Sequence, residues 1–321
     1  MLLLYIFIFI ISCSLLFWTG KWLVDSLVRI AKFLGWREFV VAFVIVAMAA
    51  TLPNLFVGIS SALHKIPELS FGDVVGGNVV DLTLAVALAV FFAKSLPAES
   101  RLVQTSSIFT IIIAILPLLL ILDGSLGRGD GIILILSFLF YIWWLFSEKE
   151  RFAKIYTENK ISIIKEFKTF IKDLGKVILG IIILLLAAEG IVRSASFFAE
   201  SLNLSIALIG ILIVGLGNAI PETYFVILAA KKGQTWMILG DLMGAVIVPA
   251  TLVLGIVALI CPIEIADFSP FAIARIFLVI SALFFIFCVR TDRKITKREA
   301  LFAVTIYILF LLAEIIRQWL K

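Results

Sequence analysis

The 321-residue chain is 63% hydrophobic and 15% charged, with a formal net charge of +5. Soluble domains do not have this balance, so the composition excludes one and points to an integral membrane protein with the lipid bilayer as its obligatory partner. The excess Lys and Arg fall between the apolar runs, where they report topology and give no sign of a nucleic-acid partner.

Apolar runs of about 20 residues place spans near 2–24, 38–63, 70–93, 102–122, 129–147, 174–200, 205–230, 235–261, 268–289 and 298–317. The first lacks a basic n-region and outruns the apolar stretch of a cleaved signal, so it reads as a helix. It continues into an amphipathic segment, Trp22 to Phe33. The second is interrupted at Pro53, which lacks an N–H and clashes with the carbonyl four residues earlier, releasing the Ala49 carbonyl from the helical ladder. Ala47, Ala49 and Ala50 are small, and with Thr51 and Asn54 they leave room for an ion or water to satisfy that carbonyl.

The third span carries Gly72 and Gly76, whose spacing lets helix backbones approach closely. Asn78 and Asp81 follow about one turn apart and face a common neighbour. Asp81 lies inside the apolar run with no basic residue within several turns. A carboxylate near mid-membrane costs on the order of 3 kcal/mol or more, which favours a functional role over packing. Asp73, and Asp241 further on, lie nearer their helix ends and read as complements to the N-termini. Spans four and five, with Pro117, read as lipid-facing scaffold. Residues 148–173 form the one long polar connection, read as an interfacial helix.

Span six bears Glu189 and Arg193, which mirror Lys21 and Asp25 with reversed charge and read as interfacial anchors or as a pair between halves. Span seven is interrupted at Pro221, which frees the Gly217 carbonyl beside Asn218 and is followed by Glu222. Span eight carries Gly240 and Gly244 as a second small-residue face, and Pro249, which frees the Ala245 carbonyl. Glu314 in the last span is not placed like a ligand, and His64 reads as a solvated loop side chain. Cys13, Cys261 and Cys288 have no metal-cluster or disulfide spacing, and no resident cofactor is implied.

Spans two and three recur at an offset of 168 without a gap: Pro53 falls on Pro221, Gly72 on Gly240, Asp73 on Asp241, Gly76 on Gly244 and Thr83 on Thr251. The chain is therefore read as a duplication, with each interrupted helix pointing to a binding site. Assigning loops alternately to the two sides gathers 20 of the 27 basic residues on one side and 6 on the other, with Lys21 inside a span. The positive-inside bias sets both termini outside, and an odd number of spans per copy inserts the copies upside down. The expected architecture is an all-α polytopic membrane protein of ten transmembrane helices. Two inverted five-helix repeats, 1–147 and 174–321, are joined by a cytoplasmic segment at 148–173, with helices 2 and 7 broken.

These motifs resemble the two alpha repeats of the sodium/calcium exchanger family, within the calcium/cation antiporter superfamily. The family pattern is G-T-S-x-P-E in the broken helix and G-N-x-x-G-S-N/C-x-x-N/D in the next. It maps here onto an alpha-1 motif at 39–92 and an alpha-2 motif at 207–260, with Pro53, Gly72, Gly76, Pro221, Glu222, Gly240 and Gly244 matching. Asn54 replaces the first repeat's glutamate, Asp81 carries an acid where asparagine is common, and Pro249 stands at the second repeat's Asn/Asp position. Thr51 keeps a hydroxyl, whereas Gly77, Ala219 and Ala245 lose one. The carboxylate has moved from one helix of the first repeat to the next.

The resemblance implies a secondary antiporter, not an enzyme. It would exchange Ca²⁺ or another cation for Na⁺ or H⁺ by alternating access in the cell membrane, with spans one and six sliding against the core. Asp81 and Glu222 are the expected charged ligands, Asn54, Thr51, Asn78 and Asn218 the neutral ones, and Ala49 and Gly217 supply carbonyls. Two carboxylates with freed carbonyls form a hard, oxygen-only site suited to one dehydrated Ca²⁺ or to one or two monovalent ions. A buried carboxylate without a cation tends to take a proton, so proton coupling is a natural variant. The lost ligands leave a rival reading, a non-transporting sensor or partner subunit on the same scaffold. A transporter of organic solutes would expect aromatic or amide-rich pockets in place of small and acidic residues. The oligomeric state is open, with a monomer sufficient.

Overall fold

The computed structural model describes residues 1–33, 51–147, 163–233, 235–265 and 269–319. Ten helices follow one another in these residues, nine of them long and apolar enough to cross a bilayer. They are α1 (Leu2–Phe33), α2 (Leu52–Leu63), α3 (Pro67–Val80, continuing through Asp81–Ala85 to Val86–Ala93), α4 (Arg101–Leu120) and α5 (Arg128–Ser147). The second set is α6 (Ile163–Leu202), α7 (Ile206–Ile209, Gly210–Val214 and Gly215–Lys231), α8 (Thr235–Val248, Pro249–Val253 and Leu254–Ile260), α9 (Ala272–Thr291) and α10 (Lys297–Trp319). The first half of the expected second span, Ala49 included, lies outside the described residues.

Helix α1 has 32 residues and α6 has 40, about 48 and 60 Å at 1.5 Å per residue, against a hydrocarbon core of about 30 Å. The expected span near 174–200 corresponds to the apolar stretch Phe170–Leu202, and the helix that carries it begins earlier, at Ile163. No proline stands in the Lys- and Phe-containing stretch after Ile163 to stop a helix, so the tail of the polar connection is a helical extension of α6. Residues 148–162 lie outside the described part.

Contacts between α1 and α6 record the inversion. Tyr5 stacks on Phe197 with ring centroids 4.0 Å apart. At the other end Arg29 donates to both carboxylate oxygens of Asp173 at 2.7 and 2.8 Å. Adding 168 carries Tyr5 to Asp173 and Arg29 to Phe197, so one register is used twice, once by rings and once by charges. The two helices are therefore antiparallel. Arg29 lies beyond the span, and its hydrogen bonds to Asp173 hold the guanidinium above its already high pKa.

Two miniature antiparallel ladders repeat the theme. One joins β1 (Leu96–Pro97) to β4 (Lys294–Ile295), and the other joins β2 (Ser125–Leu126) to β3 (Ile263–Glu264). Each links a connection of the first repeat to one of the second. The β1–β4 ladder lies at the basic face of the protein, with the Lys94, Arg101, Arg290 and Lys297 connections, and β2–β3 lies at the opposite face.

Three helices widen into five-residue π turns, at Asp81–Ala85, Gly210–Val214 and Pro249–Val253. The first and third are 168 residues apart, and in each the threonine in the third position donates to a carbonyl one turn back: Thr83 to Val79, Thr251 to Ile247. Pro249 lacks an N–H, but Asp81 has one and its helix opens at the same register. The widening therefore follows the duplicated packing and does not need proline. In α7 the interruption is the π turn ahead of Pro221, while helical backbone runs on through the proline itself.

Close packing centres on α3 and α7. A Cβ at Gly72 would overlap the carbonyl of Ala207, and one at Gly76 the carbonyl of Ile211. From the other side, a Cβ at Gly210 would lie 3.2 Å from Gly72 Cα, and one at Gly215 2.8 Å from Gly77 N. This is the small-residue packing expected of Gly72 and Gly76. Gly240 behaves differently: among the described residues nothing lies within 4 Å of a Cβ placed there. The residues that correspond by the 168 offset to Ala207 and Ile211, numbers 39 and 43, are outside the described part.

The apolar interior divides in two. The larger core gathers α3, α7 and α8 with α4, α9 and α10 around them. A smaller one, including Leu16, Leu23, Leu184, Ile191 and Phe198, fills the space between α1, α6 and the neighbouring faces of α2 and α7.

Candidate cation site

The two π turns and the α3–α7 crossing bring polar residues from four helices to one place. A chamber with about 10 Å³ of water-sized free space is walled by Asn54 of α2, Asp73, Asn78 and Asp81 of α3, Asn218 and Glu222 of α7, and Ala245 and Pro249 of α8. On α3 the i, i+4, i+8 spacing of Asp73, Gly77 and Asp81 puts all three on the chamber face. Among the described residues, no basic one lines this wall.

Four polar atoms there are shielded from solvent and lack a hydrogen-bond partner among the described residues: Asn54 Oδ1, Asn78 Nδ2, Asp81 Oδ1 and Glu222 Oε2. Asp81 is 5% exposed and Glu222 6%. Each such atom costs roughly 1–3 kcal/mol when left unpaired, and three of the four are oxygens, the atom type a hard cation takes as ligand. A half-turn of the Asn78 amide would offer a fourth oxygen.

A second and larger cavity, about 260 Å³, adjoins Glu222. Its wall follows α1 from Leu16 to Asp25 and α7 from Pro221 to Leu228, both running toward the basic face, and includes Pro53 and Asp241. Lys21, Asp25 and Tyr224 at its outer part are exposed, so it is a vestibule leading from Glu222 to that face.

The expected ligands thus divide. Asn54, Asn78, Asp81, Asn218 and Glu222 meet in the chamber, with Pro249 in its wall. Pro53 and Pro221 line the vestibule. Thr51 is buried at the turn ahead of α2 and lines neither cavity. Gly217 also lines neither: a Cβ there would meet Cys13 Sγ at 3.3 Å and Phe9 at 3.5 Å, so its Cα faces α1. Ala49 is outside the described residues.

Two acids were misjudged by the sequence reading. Asp73 does not serve a helix N-terminus; it is buried, and Asn218 Nδ2 donates to both its oxygens at 3.0 and 2.9 Å. Asp241 lies in the vestibule wall with Oδ2 unpartnered. The available signal was their position one residue after a duplicated glycine, inside an apolar segment. Because the Asn218 amide nitrogen is spent on Asp73, its oxygen is left as the acceptor it can present elsewhere. Replacing Asn218 with Ala is expected to destabilise the protein by about 1–3 kcal/mol and to weaken cation binding. Asp73→Asn, which keeps a hydrogen-bonding partner, should cost less. Thermal unfolding of both variants with and without Ca²⁺ checks the order.

Two surface readings are also revised. His64 is exposed in the turn after α2, as expected, but it is also paired: Nε2 lies 3.1 Å from Glu189 of α6 and Nδ1 2.9 Å from the Ser60 carbonyl oxygen, while Ser60 donates to Glu189 at 3.0 Å. Glu189 is met by Arg193 at 2.6 Å on its own helix, so those charges pair within α6, and Glu189 ties α6 to α2. Glu314 is fully buried, with Arg317 3.0 Å away.

The model of the family described as sodium/calcium exchanger protein matches this chain twice, over residues 4–147 and 173–316. The chain belongs to the sodium/calcium exchanger family. It is accordingly a membrane ion transporter of the antiporter class and not an enzyme. Among relatives of this exchanger, MaX1 of Methanosarcina acetivorans, a sodium/calcium exchanger, is 24% identical over 327 aligned positions, covering 91% of this chain and 93% of MaX1. The inner membrane protein YrbG of Escherichia coli is 25% identical over 291, covering 88% and 87%. A solved structure of the sodium-calcium exchanger NCX_Mj, soaked with Na⁺ and Sr²⁺, shares the fold with a TM-score of 0.67 at 23% identity, covering 97% of this chain and 99% of that one.

Proposed function

We propose that this exchanger carries Ca²⁺ or a chemically similar cation against Na⁺ or H⁺ by alternating access, with the ion bound between Asp81 and Glu222. One observation carries the reading: an acid from each repeat lines one ion-sized chamber, and each has a buried oxygen without a partner. Asn54, Asn78 and Asn218 complete the oxygen shell, and a hard divalent ion is the cargo that such a shell favours. The name of MaX1 as a sodium/calcium exchanger agrees with this choice.

In this reading the repeats are the units 1–147 and 174–321. Both termini face out of the cell, the Lys- and Arg-rich face is cytoplasmic, and the vestibule is the open, inward path to the site. Helices α1 and α6, which share an apolar core of their own, form the body that moves to close that path and open another. The host is the cell membrane.

Proteoliposomes test it. Radiolabelled Ca²⁺ should accumulate when a Na⁺ or H⁺ gradient is imposed and not otherwise. Saturable Ca²⁺ binding without flux under either gradient would convert the protein from a carrier to a sensor, and absence of both would remove the cation reading altogether.

A further inference from the structure

The two repeats treat their duplicated acids differently. Asp73 and Asp241 occupy one register, 168 apart. Asp73 has both oxygens on the Asn218 amide. The residue matching Asn218 in the first repeat is Ala50, which has no side-chain amide, and Asp241 Oδ2 is shielded from solvent without a partner among the described residues. Asp241 does not line the chamber. It lines the vestibule, together with Glu222, which is 6% exposed, lines both cavities and has its Oε2 unpartnered. Further out, Lys21 and Asp25 stand one turn apart on α1 with opposite sign, so they offset each other at the mouth. The rest of the wall is largely apolar: Leu16, Phe17, Phe225 and Leu228.

From this asymmetry we propose that Glu222 and Asp241 form a second cation station, on the vestibule side of Glu222, that takes a partly hydrated Ca²⁺. The proposal rests on the cation-antiport reading above and adds a site to it. Ca²⁺ accepts about six to eight oxygen ligands in flexible geometry. Two carboxylates supply at most four, and a cavity of about 260 Å³ has room for waters to supply the others, which the small chamber does not. The station holds an ion that has shed part of its hydration. Because Glu222 belongs to both places, its carboxylate bridges an ion in the vestibule and the ion in the chamber, one on each side. Asp241 thus gives the arriving ion a footing while it displaces or follows the one inside.

Equilibrium binding of Ca²⁺ to the full chain in detergent, on preparations shown to be monodisperse, tests the station. The wild type should bind two Ca²⁺ per chain. Asp241→Asn and Asp81→Asn should each bind one, Asp241→Glu should keep two, and Glu222→Gln should weaken both. Asp241→Asn protein that retains the chamber ion demonstrates its own folding. If Asp241→Asn binds as the wild type does, or the wild type binds one ion that only Asp81→Asn removes, the station is overturned while the chamber stands. Loss of all saturable binding in the wild type would overturn the antiport reading together with it.

Discussion

Asp81→Asn is expected to abolish cation exchange, and adding Asn54→Glu to that variant is expected to restore a measurable part of it. The magnitude follows from the membrane. A carboxylate held at mid-bilayer costs on the order of 3 kcal/mol or more, so the interaction that retains it must be at least that large. At 1.4 kcal/mol per decade this is roughly a 100-fold or greater loss of affinity when the charge is removed. Rescue is expected because Asn54 and Asp81, on adjacent helices, face the same small chamber, each with an oxygen lacking a partner. A glutamate at 54 returns the second negative charge from the α2 side, where the related exchangers carry theirs. Radiolabelled Ca²⁺ uptake by the wild type, the single variant and the double variant decides it. A double variant as inert as the single one would show that the chamber requires its acid on α3.

The second large effect concerns folding. Gly76→Ala should sharply reduce the yield of folded protein and lower its thermal midpoint, while alanine at Gly129, exposed on α5 with nothing among the described residues within 4 Å of the added Cβ, should change neither noticeably. A Cβ at 76 meets only backbone of α7, with the Ile211 carbonyl carbon and Cα both at 2.8 Å, so no side chain can swing aside. The helices must separate, and the loss lies at or above the upper end of the roughly 1–3 kcal/mol typical of overpacking. In a membrane no hydrophobic effect compensates, since lipid is as apolar as the helix faces. Size-exclusion profiles and melting curves of the two alanine variants, compared side by side, provide the check.

Much of this architecture was legible because duplication leaves a trace that apolar sequence cannot hide: Pro53 with Pro221, Gly72 with Gly240, Thr83 with Thr251. The chamber acids were legible for the opposite reason, being charges where charge is expensive. What sequence did not disclose is rotation. Each π turn inserts one residue and swings all later side chains by about 100°. Against a continuous apolar background such a shift leaves no mark, yet it decides that Asn218 and Glu222 face the chamber while Gly217 faces α1. Nor could the partner of Asp73 be read, since Asn218 is 145 residues away in the chain. An acid that looked like a helix-end complement is in fact held by an amide from the other half.

The antiparallel contact between α1 and α6 has one further consequence. Dissolved ions weaken the attraction between Arg29 and Asp173 and leave the Tyr5–Phe197 rings indifferent. The helix pair therefore has one end whose grip loosens in brine and one whose grip does not. Two solutions of unequal ionic strength, one on either side of a membrane, would hold the same pair of helices with unequal firmness, although the fold that made them was copied from a single ancestor.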